Sequence, residues 1–356
     1  MSRIIFDCDL MKFPHSGLYH YCQNLGEHIN KRLAETNQPL MRLYLPPRKK
    51  LTLTAEPHHL VEQKWHRLIQ PFLLNCRIWH APFQSGRILP DKKRFPHLKV
   101  VLTVHDLNVL HEGKPDAVQR KSLAHTQSLI DQSDAIVCIS EFTKNDVLTH
   151  CSVGDKPIYV IHNGVGKLPD LTEEPVLYKP EREFLLGIGY LNQKKNFHVL
   201  LPLLQANPDL ELILIGRHDD PYYVHQMRNQ AQSLGVDNRL HLLGTVSEAD
   251  KIWYLRNCKA LLHPSLAEGF GLPVVEAMQF GKPVFLSTRT SLPEVGGEAA
   301  FYFPNFDPDS MQEVFREGMK AFESPIRKEA IYKNAARFEW EESARQYLAV
   351  YESIRT

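Results

Sequence analysis

The sequence of 356 residues lacks four features that would each have indicated a class of protein. No apolar run approaches the ~20 residues of a membrane span. The N-terminus carries Asp7 and Asp9 where a secretory leader needs an apolar core, so we expect neither a transmembrane helix nor a leader. The six cysteines form no C-x-x-C pair, which indicates no zinc site or disulfide framework and suits a reducing cytoplasm. The net charge of +1 does not favour nucleic acid as a partner.

The charge is unevenly distributed although its sum is near zero. Residues 1–170 hold 22 Lys and Arg against 16 Asp and Glu, so the first half is basic and the second half acidic. Two basic runs, residues 47–50 and 91–99, have Trp65 and Phe72 between them. Such runs are typical of solvated faces. The alternative is docking to an anionic membrane surface, where each basic residue adds about 1 kcal/mol.

Short apolar runs alternate with stretches of helical periodicity along the whole chain. Nearly continuous apolar runs rich in β-branched residues are typical of strands covered on both faces, and this alternation predicts doubly wound parallel sheets. The predicted strands are RIIFDC, LMRLYL, RIWHA, LKVVLTV, DAIVCIS and PIYVIH in the first half, and EFLLGIGY, LELILIG, RLHLLG, CKALLHP and KPVFLS in the second. Helical spacing covers residues 17–34, 116–132, 196–205 and 248–257.

The alternation is interrupted once, by a stretch with three prolines and clustered acids. We therefore predict a Rossmann-like N-terminal domain over residues 1–168, a linker over 169–182 and a second Rossmann-like domain over 183–337. Residues 338–356 are predicted as a C-terminal helix, with packing on the N-terminal domain as an option. Two such sheets facing across a cleft would bind ligands at the carboxyl ends of their strands.

The segment EGFGLPVVE follows a predicted strand and begins a helix, with an acid at each end. Glu268 and Glu276 flank the exposed N-terminus of that helix, which is an anion site most naturally filled by a phosphate. The amide groups expected there are those of Phe270, Gly271 and Leu272. Acids beside a phosphate make sense if they accept hydrogen bonds from vicinal hydroxyls. Glu276 alone also fits a first-turn acid favoured by the helix dipole.

The stretch PSLAEGFGLPVVEAMQFGKPV resembles the E-x7-E signature of the retaining family 4 glycosyltransferases, which have the GT-B fold. Other segments resemble the family in its own order, namely HSGLYHYCQNL, VLTVHDL, CISEFTKNDV, YVIHNGV, LGIGYLNQKKNFHVLL and LLGTVSEADKIWYLRNCKALLHPS. The resemblance covers most of the chain. It implies an α/β protein of two Rossmann-like domains facing across a cleft.

The resemblance also implies roles in binding the sugar and the nucleoside of a donor. Glu268 would contact the hydroxyls of the donor sugar, and Glu276 would contact the ribose. Thr245 and Val246 would lie against the base. His105, at the end of a strand in the first domain, would lie near the donor sugar and the site of transfer.

The diphosphate is assigned by the same resemblance to Lys195, to Gly17 of an N-terminal loop and to the helix N-terminus described above. The sequence leaves open which of the adjacent lysines, Lys194 or Lys195, points inward. A fixed cation suits a leaving group that gains negative charge, so Lys195 joins Glu268 and His105 as a candidate catalytic residue. Many family members carry an Arg after the strand glycine. Here that residue is Tyr190, and Arg217 is a poor substitute by position, so the second cation is unassigned.

The function implied is hexosyl transfer, with retention, from a nucleotide-diphosphate sugar to a glycan or lipid-linked acceptor. The expected pathway is surface polysaccharide synthesis, of lipopolysaccharide, O-antigen or capsule. The expected location is the cytoplasm, including the inner face of the membrane through the basic N-terminal domain.

Two other functions remain open at this point. A nucleotide-sugar 2-epimerase forms a similar fold, and a non-catalytic protein could bind a nucleotide sugar. No metal or other cofactor is expected. His58, His59 and His66 are predicted to have surface roles, because no H-x-x-E-H motif accompanies them.

Overall fold

The computed structural model describes residues 4–13, 16–47, 59–84, 89–169 and 173–355. In those residues the strands are β1 (Ile4–Asp7), β2 (Arg42–Leu45), β3 (His59–Val61), β4 (Ile78–Ala81), β5 (Lys99–Val104), β6 (Ala135–Cys138), β7 (Ile158–Val160), β8 (Glu183–Ile188), β9 (Leu210–Ile215), β10 (Leu240–Gly244), β11 (Ala260–His263), β12 (Val284–Ser287) and β13 (Phe301–Phe303). The α-helices are α1 (Gly17–Glu35), α2 (Asp116–Gln132), α3 (Glu141–His150), α4 (Leu201–Ala206), α5 (Pro221–Ser233), α6 (Glu248–Asn257), α7 (Leu272–Gln279), α8 (Leu292–Gly296), α9 (Pro308–Phe322), α10 (Pro325–Ala335) and α11 (Trp340–Ser353).

The strands form two parallel sheets, which confirms the predicted α/β fold. The first sheet has the order β3-β2-β1-β4-β5-β6-β7 and the second has the order β10-β9-β8-β11-β12-β13. In each sheet the strand order reverses once, between β1 and β4 and between β8 and β11. Such a reversal is where doubly wound sheets bind their ligands.

All eleven predicted strands are present, and two further strands were missed. β3 and β13 have three residues each and lie at the edges of their sheets. All six cysteines are free thiols, and five of them are buried. None of the helices in the described ranges is long and apolar enough to cross a bilayer.

The chain divides into two compact units by its internal contacts. Unit 1 comprises Met1–Gly166 together with Phe338–Thr356, and unit 2 comprises Lys167–Arg337. The stretch predicted as a linker is bound to unit 2 in its described part. The Val176 amide donates to Asp250 (3.2 Å), and the Tyr178 hydroxyl donates to Glu211 (3.0 Å).

Helix α11 returns to unit 1 and packs against α1. The chain can approach there because residue 164 is a glycine: a Cβ atom at Gly164 would lie 2.2 Å from the Trp340 backbone nitrogen. The two buried tyrosines of α11 form hydrogen bonds inside unit 1. The Tyr347 hydroxyl pairs with the hydroxyl of Tyr21 (2.7 Å), and the Tyr351 hydroxyl pairs with His80 Nδ1 (2.6 Å). These polar groups specify one way for the helix to pack.

The surface role predicted for His66 is wrong. The ring is only 2% exposed, and its Nδ1 accepts hydrogen bonds from the Tyr44 hydroxyl (3.0 Å) and the Gln63 amide (3.2 Å). His66 thus caps a short 3-10 helix, Lys64–Arg67, and packs on Tyr44 and Phe72. His59 is exposed in β3, and His58 lies outside the described residues.

We predict that His80 makes unit 1 sensitive to acid. Burial, with a smaller effect of His105, lowers the pKa of His80 to about 3 from an ordinary 6.5. The unfolded chain therefore takes up a proton below pH 6.5 that the folded state refuses, and stability present above that pH is lost as the pH falls towards 3. In His80→Gln, the drop in unfolding free energy between about pH 7 and about pH 5 should be smaller by about 2 kcal/mol, measured by urea unfolding.

The matched control is His97→Gln, which removes an exposed histidine from the same unit. It should leave the drop between the two pH values as in the wild type. An unchanged drop in His80→Gln would contradict the prediction.

Candidate active site

The candidate site lies at the carboxyl ends of β8 and β11, the neighbouring strands at the order reversal of the second sheet. The loop after β8 carries Lys195 and the loop after β11 carries Glu268. Parallel strands present their carboxyl ends at one edge, so residues far apart in sequence meet there.

Lys195 and Glu268 form a largely buried ion pair. Lys195 Nζ lies 2.5 Å from Glu268 Oε1, and the two side chains are 13% and 11% exposed. Lys195 crosses the end of β8 at Gly189, where a Cβ atom would lie 2.5 Å from Lys195 Cε and where φ is +152°. Asn192 holds the loop by accepting a hydrogen bond from the Lys195 amide (3.2 Å). Of the two adjacent lysines, Lys195 is therefore the one that reaches Glu268.

His263 is a third member of this cluster, and the sequence interpretation missed it. Its ring is fully buried at the end of β11, and Nε2 lies 2.8 Å from Glu268 Oε1. Burial and the charge of Lys195 lower the pKa of His263, although Glu268 opposes them. The signal available in the sequence was its place at the end of the predicted strand CKALLHP, in the position that also made His105 a candidate.

The carboxyl group of Glu268 is ionised in this cluster. Burial alone raises the pKa of Glu268, but Lys195 and His263 outweigh it and hold the pKa well below its usual value. The backbone is fixed on both sides, because the Glu268 amide donates to Thr290 Oγ1 (2.9 Å) and Ser291 Oγ donates to the Glu268 carbonyl (3.0 Å). The charge is thus present and its position is fixed before any ligand binds.

The predicted phosphate-binding turn leads directly into helix α7. Gly271 is the N-cap residue with φ +103°, and Pro273 occupies the first turn. Phe270 is buried, and its carbonyl accepts from Ser291 Oγ (3.2 Å). Leu272 is the first residue of the helix. The geometry is that of a helix N-terminus entered from a strand end, which can bind an anion.

Glu276 has a partner that the sequence interpretation did not predict. Lys251 Nζ lies 3.0 Å from Glu276 Oε1 and 2.8 Å from Glu248. Burial lowers the pKa of Lys251, but the two acids outweigh it and raise the pKa overall. Since Lys251 is on α6, this ion pair places Glu276 of α7 beside the helix that starts just after Thr245 and Val246. Thr245 is exposed and Val246 is half-buried.

Tyr190 occupies the position where many family members carry a second cation for the diphosphate, and Arg217 lies next to it. The Arg217 guanidinium lies over the Tyr190 ring, 4.8 Å from its centroid, and is paired with Asp219. The Leu191 amide donates to the Arg217 carbonyl (2.9 Å), so the ends of β8 and β9 are joined at this point. Arg217 is therefore a cation at the same edge of the sheet, with its charge already balanced by Asp219.

The two remaining predicted site residues belong to unit 1. Gly17 is exposed and is the first residue of α1, capped by Ser16, whose Oγ accepts from the Tyr19 amide (3.1 Å). His105 directly follows β5, as predicted, and Nε2 donates to the Pro82 carbonyl (2.7 Å). Burial lowers the pKa of His105 to about 4, so the ring is neutral at pH 7. Its Nδ1 is then the nitrogen able to accept a proton.

Two family descriptions match most of the chain. Residues 21–166 match glycosyltransferase family 4, and residues 172–338 match glycosyl transferases group 1. Each match lies within one of the two units, apart from a single residue at the end of the second.

The individual relatives have low sequence identity to this chain but match long stretches of it. The serotype-specific mannosyltransferase WbdA of Escherichia coli is 27% identical over 267 residues, which cover 69% of this chain and only 32% of WbdA. The O-antigen chain mannosyltransferase B of Escherichia coli is 26% identical over 396 residues, covering 99% of this chain and 100% of that protein. The structure of Anabaena Alr3699/HepE in complex with UDP and glucose has a TM-score of 0.72 at 19% identity, with 99% of each chain covered. The structural likeness shows the fold.

We predict strong coupling between Lys195 and Glu268. Replacing Lys195 by Met or Glu268 by Gln leaves the other member without its counter-charge in a buried place. The two losses of unfolding free energy should therefore not add, with a coupling of about 1–3 kcal/mol in a double-mutant cycle measured by urea unfolding at neutral pH.

Lys179 and Glu174 provide the control pair. Their charged atoms are also 2.5 Å apart, but their side chains are 60% and 65% exposed. Solvent screening should limit their coupling to about 1 kcal/mol or less. Equal coupling in the two pairs would show that the buried pair is not special.

Proposed function

Because this chain belongs to the family 4 glycosyltransferases and has their two-domain GT-B fold, we propose that it transfers a hexose, with retention, from a nucleotide-diphosphate sugar to a hydroxyl acceptor. The observation that carries the proposal is the Lys195–Glu268 pair at the order reversal of the second sheet. It combines a cation suited to a diphosphate with a carboxylate suited to sugar hydroxyls.

Unit 2 holds the proposed donor. The N-terminus of α7, at residues 270–272, and Lys195 bind the diphosphate. Glu268 accepts hydrogen bonds from the sugar, and Glu276 accepts them from the ribose beside Thr245 and Val246. The roles proposed for Gly17 and His105 of unit 1, at the diphosphate and the sugar, rest on the family resemblance.

The proposed step exchanges one bond at the anomeric carbon. The bond from that carbon to the diphosphate oxygen breaks through an oxocarbenium-like state, and the acceptor oxygen attacks on the same face. The acceptor proton passes to the leaving phosphate oxygen. Lys195 and the α7 N-terminus stabilise the charge that builds on the diphosphate, so the scheme assigns no step to a metal ion.

We further propose that the sugar is a mannose and that the product belongs to a surface polysaccharide. The support is that both of the relatives reported above are named mannosyltransferases and that one is named for the O-antigen chain. The chain matches about a third of the length of WbdA, so that relative supports only the type of reaction.

Unit 1 has an exposed apolar surface that suits a membrane-bound acceptor. Trp65, Leu68, Ile69 and Leu74 are 49%, 80%, 53% and 64% exposed, all within ten residues. Trp65, Leu68 and Ile69 share one turn, because the Leu68 and Ile69 amides both donate to the Trp65 carbonyl. A cluster of exposed large apolar side chains is typical of a membrane or protein contact.

Positive charge next to these side chains favours a membrane over a protein. Arg94 Nη1 donates to the Leu68 carbonyl (3.2 Å), and Lys64 and Lys93 are exposed beside the same segments. Aromatic and aliphatic side chains enter the interface while lysine and arginine meet anionic head groups. We propose that residues 64–74 dock the enzyme on the anionic inner face of the cytoplasmic membrane.

The transfer reaction gives the direct test of the proposed function. With GDP-mannose, UDP-glucose or an ADP sugar and a lipid-linked glycan acceptor, one donor should yield product whose new linkage, read by NMR, keeps the anomeric configuration of the donor. Glu268→Ala and Lys195→Ala should each lower kcat/KM by at least about a hundredfold, since each removes a charge that acts on the transition state. Chelation with EDTA should not change the rate.

Lys194→Ala is the matched control, because Lys194 is the neighbouring lysine and Lys195 is the one paired with Glu268. It should transfer at nearly the wild-type rate. Transfer by Lys195→Ala at the wild-type rate would refute its role at the diphosphate. An epimer formed from the donor alone would instead identify a nucleotide-sugar 2-epimerase.

The membrane contact is tested by sedimentation with vesicles. The wild type should bind vesicles of phosphatidylglycerol and phosphatidylcholine, less so at high salt, and should not bind phosphatidylcholine alone. Replacing Trp65, Leu68 and Ile69 together by Ser should lower binding by about tenfold or more, because their apolar surface then no longer leaves water.

Val176→Ser/Leu177→Ser provides the control, since both residues are exposed apolar side chains in unit 2. This variant should bind as the wild type does. Equal binding by the triple variant and the wild type would remove residues 64–74 from the contact.

A further inference from the structure

In the described part of the chain, His263 is buried with one ring nitrogen unpaired, which costs stability that hydrophobic packing does not require. Its ring is fully buried, and its Nδ1 has no hydrogen-bond partner among the described residues. A buried polar atom left unpaired costs about 1–3 kcal/mol. Since a carboxylate only accepts hydrogen bonds, we assign the proton to Nε2, which donates to Glu268.

The two oxygens of Glu268 have different surroundings. Oε1 receives both donors, Lys195 Nζ at 2.5 Å and His263 Nε2 at 2.8 Å. Oε2 accepts no hydrogen bond from the described residues. One oxygen is therefore committed to the protein, and the other is available to a hydroxyl group of a ligand.

The two donors to Oε1 respond differently to a ligand. Under the proposed function, Lys195 also serves the donor diphosphate, whose negative charge competes with Glu268 for the ammonium group. His263 Nε2 makes no other hydrogen bond within the described residues, and its ring is fully buried, so turning away would require packed neighbours to move. The hydrogen bond from His263 to Glu268 Oε1 therefore remains when Lys195 binds the diphosphate.

We propose that His263 is a positioning residue, which keeps Glu268 Oε2 directed at the hydroxyls of the donor sugar while Lys195 turns to the diphosphate. This inference rests on the proposed function. Its distinctive consequence is that His263 contributes to binding of a nucleotide sugar and contributes nothing to binding of the free nucleoside diphosphate. A histidine that only fills space would affect both ligands alike.

Two substitutions by amide side chains test whether the hydrogen bond from residue 263 to Glu268 is what matters. In His263→Gln, the side-chain amide nitrogen can take the place of Nε2 and donate to Glu268. In His263→Asn, the amide nitrogen takes the place of Nδ1 and is too short to reach. The experiment measures the affinity of the wild type and both variants for GDP-mannose, UDP-glucose, GDP and UDP by calorimetry, with thermal melting as the check on folding.

We expect His263→Asn to bind the preferred nucleotide sugar about tenfold or more weakly, with affinity for the matching free nucleoside diphosphate unchanged. His263→Gln should recover most of the loss. If His263→Asn melts well below the wild type, His263→Leu, which fills a similar volume without a donor, replaces it in the comparison.

Two results would overturn the role of His263. One is an equal loss for the nucleotide sugar and the free nucleoside diphosphate, and the other is equal behaviour of the Gln variant and the donor-deficient variant. A wild-type protein that binds none of the four ligands would instead refute the proposed function itself. The two failures are therefore distinguishable in the same set of measurements.

Discussion

The ion pair between Lys195 and Glu268 is the interaction around which the second unit is arranged. The two residues are 73 positions apart in sequence and meet because β8 and β11 end side by side. Gly189 leaves the space through which Lys195 passes, and His263, the last residue of β11, donates a hydrogen bond to the carboxylate. A buried charge is tolerated only when it is paired and hydrogen-bonded, so each of these positions follows from the pair.

Unit 1 depends on a comparable set of buried polar contacts. His80 lies between the Tyr351 hydroxyl and Thr103 Oγ1, and Tyr347 binds both Thr103 and Tyr21. These contacts join α11 to the interior of the sheet, although α11 follows all of unit 2 in sequence. Hydrophobic packing alone would accept several positions of an amphipathic helix, whereas paired polar groups accept one.

Much of the fold was predictable because parallel strands carry a strong local signal. A strand covered on both faces must be apolar throughout, and this pattern identified every strand of four residues or more. β3 and β13, with three residues each, were missed, although β7 of the same length was recognised. Within the site, Glu268 and Lys195 were recognisable from a segment order shared with a known family. His263 and Lys251 were not, because their importance lies in which acid they contact.

The sequence by itself determined the two α/β units, the turn that opens α7 and the two acids that flank it. These are local properties, set by periodicity, glycine positions and helix-start chemistry. Only the tertiary structure decided which lysine faces Glu268, that His263 binds the same oxygen, that Lys251 binds Glu276 and that His66 is buried. The physical reason is that a charge or a hydrogen bond depends on distance in space, and distances between strand ends are not written in the spacing of residues along the chain.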